Sequence, residues 1–236
     1  MVVKLYHYGL SYNVSYLGER SRLKGILQMG ITERGIETKL KLLQAAINEF
    51  SEKGFHGARV DAIADAAGVN KQRVYAYFQS KENLFAEVLK HCFELITQEE
   101  ESFRNLTDQD IPGMGETILR RYMDFHERYP YFWRLIAWEN LDGGKHSYRL
   151  KDVRRKTFAH LKHLYETGQE KGLFKSGVSF ESFIFALSAH SFFYFANQHT
   201  MSETLDLDLF NPEVRERILT ENLELMSLSK ARDIGE

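Results

Sequence analysis

The chain has 236 residues, 43% hydrophobic and 27% charged, with a net charge of −2. This excludes a strongly basic nucleic-acid binder and, with no sufficiently long apolar run, a membrane-spanning chain; it leaves room for two modest soluble domains. A lone cysteine, Cys92, excludes an internal disulfide framework and fits a reducing cytoplasm; the N-terminus also lacks a continuous signal-peptide core.

The charge is unevenly placed. Residues 1–30 carry four Lys/Arg against Glu19, and residues 31–81 carry eight against six Asp/Glu. Those stretches are thus +3 and +2, and a total of −2 leaves −7 for the remainder. A basic N-terminal third on an acidic body suits phosphate contacts made by one end only.

In chain order, Tyr6, Tyr8, Tyr12 and Tyr16 lie in a stretch without helical period. The preferred reading of residues 1–30 is an unpacked arm, or an extension upstream of a start at Met29; the other is a basic arm that touches DNA. Beyond it, apolar residues recur at three-and-four spacing, not at two, which predicts an all-α fold. Leu40, Leu43, Ile47 and Phe50 form one stripe, and Phe85, Val88, Leu89, Cys92 and Ile96 a second. Ile118, Tyr122, Phe125 and Tyr129 form a third, and Val214, Ile218, Leu225 and Leu228 a fourth. Gly54, Gly68, Gly143-Gly144 and Gly172 punctuate them, and Pro112, Pro130 and Pro212 each stand where a helix can begin. About nine helices are expected, near 36–53, 60–67, 71–77, 81–104, 114–129, 131–141, 148–171, 179–198 and 212–229.

Residues 58–78 read ARVDAIADAAGVNKQRVYAYF. Val60, Ile63, Ala64 and Ala67 give a short helix one apolar face, Gly68 supplies a tight turn, and Val69 inserts between two helices. Asn70 can cap a second short helix whose Val74, Tyr75 and Phe78 face inward, leaving Lys71, Gln72, Arg73 and Tyr77 outward. A helix of this size fits the major groove with its N-terminal residues at base edges. Arg pairs with both guanine acceptors and Gln with the adenine edge, while Lys and Tyr reach phosphates. The same pattern also describes an ordinary helical hairpin with a solvated charged face.

The wider block decides between these readings. Leu43-Gln-Ala-Ala46, Phe50, Lys53-Gly-Phe55, Val60, Ile63-Ala64, Ala67-Gly-Val69, Val74-Tyr-Ala-Tyr-Phe78 and Ser80-Lys-Glu-Asn-Leu84 together resemble the DNA-binding domain of the TetR (tetracycline repressor) family. The resemblance implies a three-helix helix-turn-helix domain over 31–80, joined to a helical effector-binding and dimerisation domain over 81–236. It implies base reading by Lys71, Gln72 and Arg73, sugar-phosphate contacts by Tyr75 and Tyr77, and phosphate contacts by Lys81 and Lys39. One departure stands out: the family's usual Thr-Thr or Thr-Ser pair is Ala58-Arg59 here, so the hydroxyl cap of the second helix is gone and Arg59 becomes a phosphate or groove candidate.

In the body, Gly168-Gln-Glu-Lys-Gly172-Leu-Phe174 and the segment from Pro130 through Leu135 to Glu139-Asn-Leu141 resemble family helix ends. Residues 180–196, FESFIFALSAHSFFYFA, are apolar almost all round, which predicts a central core helix or a subunit interface. With Val214, Ile218, Leu219, Leu225 and Met226 on the last helix, a homodimer on a roughly palindromic double-stranded operator is the economical reading. Tyr122, Phe125, Trp133, Trp138, Phe158, Phe183, His190 and Tyr194 are candidates for an aromatic effector pocket, with plain core packing as the alternative for each.

His160 and His163 have helical spacing but no third ligand, so no metal and no cofactor is expected. Cys92 reads as packing, with redox sensing as the alternative, and Glu99-Glu100-Glu101 as a solvated face. No nucleophile motif or phosphate loop supports an enzyme. The expected function is a transcriptional repressor released by a small, mainly apolar effector. The competing one is a small-molecule- or protein-binding helical dimer with vestigial DNA affinity.

Overall fold

Side-chain caps set several of the helix starts. The structure, a computed structural model, describes residues 5–7, 10–12 and 33–226. Among these, ten α-helices run in order: α1 (Glu33–Gly57), α2 (Val60–Ala66), α3 (Lys71–Phe78), α4 (Lys81–Glu101), α5 (Met114–Arg128), α6 (Pro130–Leu141), α7 (Arg149–Glu170), α8 (Phe180–Ala196), α9 (Gln198–Leu205) and α10 (Pro212–Met226). A short antiparallel pair, β1 (Leu5–His7) with β2 (Leu10–Tyr12), precedes them. The arm reading of residues 1–30 otherwise falls outside the described residues. No helix among the described residues is long and apolar enough to cross a membrane.

Ser80 caps α4 by accepting from the Asn83 N–H, Ser179 caps α8 through Ser182, and Asn211 accepts from Glu213 one residue after Pro212. Pro130 opens α6 as expected, whereas Pro112 sits inside a 3₁₀ turn, Asp108–Gly113, that precedes α5. The tenth helix, α9, was not anticipated. The apolar run ends at Asn197, which leaves helical geometry (φ −121°, ψ 12°), and a separate short helix follows.

One continuous core spans both halves of the chain. In α4, Phe85, Val88, Leu89, Cys92 and Ile96 are all buried, as their spacing predicts. In α1 the buried face is centred on Leu42, Ala46 and Phe50, and Leu40 stays half-buried. The Glu99-Glu100-Glu101 face is corrected. Glu100 is fully buried and accepts a hydrogen bond from the Tyr122 hydroxyl (3.0 Å), Glu99 pairs with Arg128 at 2.8 Å, and only Glu101 is exposed.

The helix-turn-helix meets the body along α1 and α6. Gly54 makes this possible. Its φ of 67° ends the main run of α1, and a Cβ there would lie 2.7 Å from the Trp138 ring. Glycine is therefore required twice over at this point, by backbone and by packing.

Candidate nucleic-acid interface

Two short helices and one turn build the candidate reading surface. Gly68 (φ 67°) turns the chain, the Val69 N–H returns to the Ala64 carbonyl, and the Val69 side chain packs on the core. Asn70 then caps α3, its side-chain oxygen accepting from the Arg73 N–H at 2.9 Å. Val74 and Phe78 anchor the helix inward, which turns Lys71, Gln72, Arg73 and Tyr75 to solvent.

Lys71 is held by Asp61 of α2 at 3.1 Å. Gln72 and Arg73 make no side-chain hydrogen bond or ion pair among the described residues, so both are available to a ligand. Around them, the Lys39 ammonium lies 5.7 Å from the Phe78 ring centroid and that of Lys81 lies 4.8 Å from Phe55. These contacts seat two cations beside α3.

Two sequence assignments change. Tyr75 does not face inward: it is 41% exposed, on α3 with Lys71, Gln72 and Arg73. Tyr77 is half-buried, and its hydroxyl donates to the Gly35 carbonyl at 3.0 Å. The reason is geometric. Val74 and Phe78, four apart, set the inner stripe; Tyr75 and Tyr77 flank it on opposite sides, and the side that meets the start of α1 is that of Tyr77. Tyr77 therefore ties α3 to the start of α1, and its proton is already committed.

Arg59 is exposed and supplies no side-chain cap to α2. Its backbone N–H is satisfied from another helix: Glu49 Oε1 accepts from it at 3.0 Å, while the Glu49 carboxylate also pairs with Lys53 at 2.8 Å. Sequence reading missed Glu49. No local signal pointed to it: a hydroxyl at position 59 would accept from an N–H inside α2, whereas Glu49 takes the Arg59 N–H itself.

The eight aromatic-pocket candidates do not converge on one cavity. Phe125 is enclosed by Phe132, Tyr129 and His126, and Phe183 stacks on Tyr165 at 4.7 Å. Tyr122 is bound to Glu100, and Tyr194 donates to the Leu209 carbonyl at 2.7 Å. Those four are core. Trp138 lies over Gly54 at the junction with the helix-turn-helix, and Phe158 meets Phe180 edge-on. Trp133 and His190 differ, because Trp133 Nε1 and His190 Nε2 are buried with no hydrogen-bond partner among the described residues, and burial lowers the His190 pKa.

One cleft of about 170 Å³ is lined by Tyr165, Lys175, Val178, Ser182, Phe183, Ala186 and Leu187, so only Phe183 of the eight reaches it. Cys92 is fully buried and burial pushes its thiol pKa up, which removes the redox alternative. His160 bonds to the Leu106 carbonyl, and no group of three or more metal-ligating side chains occurs among the described residues.

A capped reading helix on a three-helix head, mounted on a larger helical body, defines a helix-turn-helix DNA-binding regulator. Residues 42–88 match the family description "Bacterial regulatory proteins, tetR family", and residues 116–225 match "Tetracyclin repressor-like, C-terminal domain". The HTH-type transcriptional repressor NicS of Pseudomonas putida is 32% identical over 186 residues, covering 78% of this chain and 87% of that one. The HTH-type transcriptional repressor SCO4008 of Streptomyces coelicolor is 32% identical over 153 residues, 64% of this chain and 75% of that one. The crystal structure of SCO4942 from Streptomyces coelicolor superposes with a TM-score of 0.61 at 26% identity, covering 80% of this chain and 97% of that one. The chain belongs to the TetR family of transcriptional regulators, which are not enzymes.

Proposed function

We propose that this regulator is a homodimeric repressor of a roughly palindromic operator, released by a small effector. The observation that carries the reading is the pair Gln72 and Arg73, exposed and unengaged at the capped N-terminal end of α3, the part of a recognition helix that meets base edges. Gln72 and Arg73 read bases, with Lys71 swinging from Asp61 to a base or phosphate. Tyr75, Lys39, Lys81 and Arg59 contact the sugar-phosphate backbone, and Tyr77 and Asn70 position α3. The DNA-binding unit takes residues 31–80 and the body 81–236, and the protein acts in the cytoplasm with its operator.

Repression is supported by the names of NicS and SCO4008, both transcriptional repressors. A dimer is supported by α8, whose Phe185 is 74% and Phe193 53% exposed although the helix is apolar almost all round, and by Leu225 of α10 at 82%. For the effector, a mainly apolar molecule fits the aromatic body, and the unpartnered Trp133 N–H and His190 Nε2 offer it hydrogen bonds. Such a ligand acts only by favouring a state with altered spacing of the two reading helices.

The test is fluorescence anisotropy with the region upstream of the regulator's own gene. Saturable binding should weaken steeply with salt, each neutralised phosphate adding about −0.9 to the log–log slope. Binding that neither saturates nor responds to salt would overturn the DNA-reading assignment.

A further inference from the structure

Of the three residues that open α3, only Lys71 is held. Its ammonium lies 3.1 Å from each carboxylate oxygen of Asp61, across the Gly68 turn, whereas Gln72 and Arg73 make no side-chain bond among the described residues. Asp61 stands in the first turn of α2, where the helix dipole favours an acid. That explains an acid at this position but not its pairing. Both side chains are about half exposed, and so wet a pair contributes almost nothing to stability. Its effect falls on charge and direction instead. The carboxylate cancels one positive charge of the reading face and holds the ammonium from one side, so that its remaining N–H groups point away from α2.

We infer that Asp61 is a positioning residue that turns Lys71 from a phosphate contact into a base contact, and so sets operator specificity. This rests on the DNA reading above, which leaves Lys71 either target, and adds a residue with no DNA contact of its own. A lysine on a duplex is drawn first to phosphate, which carries no sequence information. For Lys71 that exchange is poor. A phosphate oxygen and the Asp61 carboxylate would share one ammonium, and the two anions would repel at close range. A base edge carries no such penalty. Guanine O6 and N7 are neutral acceptors, so the ammonium can turn towards them while Asp61 keeps its hold. On unrelated sequence Lys71 stays with its carboxylate and adds nothing to the sequence-independent attraction; at the matching base pair it adds a directed bond. Specificity is the difference of the two affinities, and Asp61 raises it chiefly by lowering the unwanted one.

The test compares Asp61→Asn with Asp65→Asn in the full chain. Asp65 lies one turn further along α2, is exposed and makes no side-chain bond among the described residues, so its variant matches the change in charge without freeing Lys71. Anisotropy against the upstream region and against a random-sequence duplex gives the two affinities over a salt series. Asp61→Asn should steepen the random-sequence log–log slope by about 0.9, one more neutralised phosphate, and lower the ratio of specific to random-sequence affinity about tenfold. Asp61→Ser should repeat this, and Asp61→Glu, which keeps the carboxylate, should resemble the parent. Asp65→Asn should leave slope and ratio near the parent's. With Lys71→Ala already in place, Asp61→Asn should no longer change the ratio. Equal behaviour of the two Asn variants, or a ratio that still falls without Lys71, overturns the role of Asp61 while leaving DNA binding intact. A Lys71→Ala chain with unchanged affinity and salt slope on both duplexes overturns it too, since Lys71 then touches no DNA, and leaves the reading by Gln72 and Arg73 standing. A parent chain that does not bind the upstream region saturably overturns the DNA reading and the role of Asp61 together.

Discussion

At the scale of single residues, α3 separates exposed side chains from engaged ones. Arg73 and Gln72 face solvent without partners among the described residues, whereas Asn70 and Tyr77 spend their polar atoms inside the protein. Arg73→Ala should therefore cost ~1–3 kcal/mol of operator binding and relax discrimination at one base position, with no change in melting temperature. Anisotropy against a panel of single-base operator variants checks it; unchanged discrimination would mean that Arg73 reads no base. Glu49 is the opposite case, far from any base yet necessary for α2. Glu49→Ala should destabilise the fold by about 0.5–2 kcal/mol, the range measured for lost caps. Arg59→Ser should be stabilising by itself, because its hydroxyl would accept from an N–H inside α2, and should add independently to the Glu49→Ala loss, since the two serve different N–H groups. Chemical denaturation of the two single variants and the double variant checks both, and an unchanged stability of Glu49→Ala would show that its bond to the Arg59 N–H does not hold α2.

At the scale of elements, local chemistry was legible and contacts between elements were not. Asn70 and Asn211 could be read as caps because the acceptor and its N–H lie within three residues. Glu49 could not be placed on Arg59, ten residues away, because nothing in a helical pattern says which side chain crosses to the next helix. The same limit applies to the aromatic candidates. Tyr122 and Phe125 have the residue types of a cavity lining, yet packing encloses them, and apolar type alone does not distinguish the two. Tyr75 was misplaced because Tyr75 and Tyr77 flank the Val74–Phe78 stripe on opposite sides, and the pattern alone does not say which side meets α1. The junction of α1 and α6 makes a further prediction. Gly54→Ala would force a side chain into φ 67° and against Trp138, so it should cost ~2 kcal/mol or more in thermal unfolding. Trp138→Ala alone should not rescue it fully, since the backbone strain remains. Gln79 behaves in reverse: it ends α3 at φ 63°, where glycine is at ease, so Gln79→Gly should be tolerated or mildly stabilising despite losing the 3.2 Å bond from Asn83.

At the scale of the whole molecule, the proposed dimer would let the basic head and acidic body work together by holding two heads at a fixed spacing. A single reading helix makes few base contacts, and the second half-site becomes effectively intramolecular once the first is bound. That converts dimer geometry into affinity. Phe185 is the place to test it, being 74% exposed on α8 and remote from α3 in sequence and packing. Phe185→Glu puts a charge into an apolar interface without touching the core, so the chain should fold normally and sediment as a monomer. Its affinity for a full operator should fall by about 10²–10⁴-fold, the usual scale of avidity, towards the value for an isolated half-site. Measured side by side on full and half operators, the parent should distinguish the two strongly and Phe185→Glu hardly at all. If the variant is monomeric yet keeps full operator affinity, dimer spacing contributes nothing to recognition and the twofold account of this regulator is wrong.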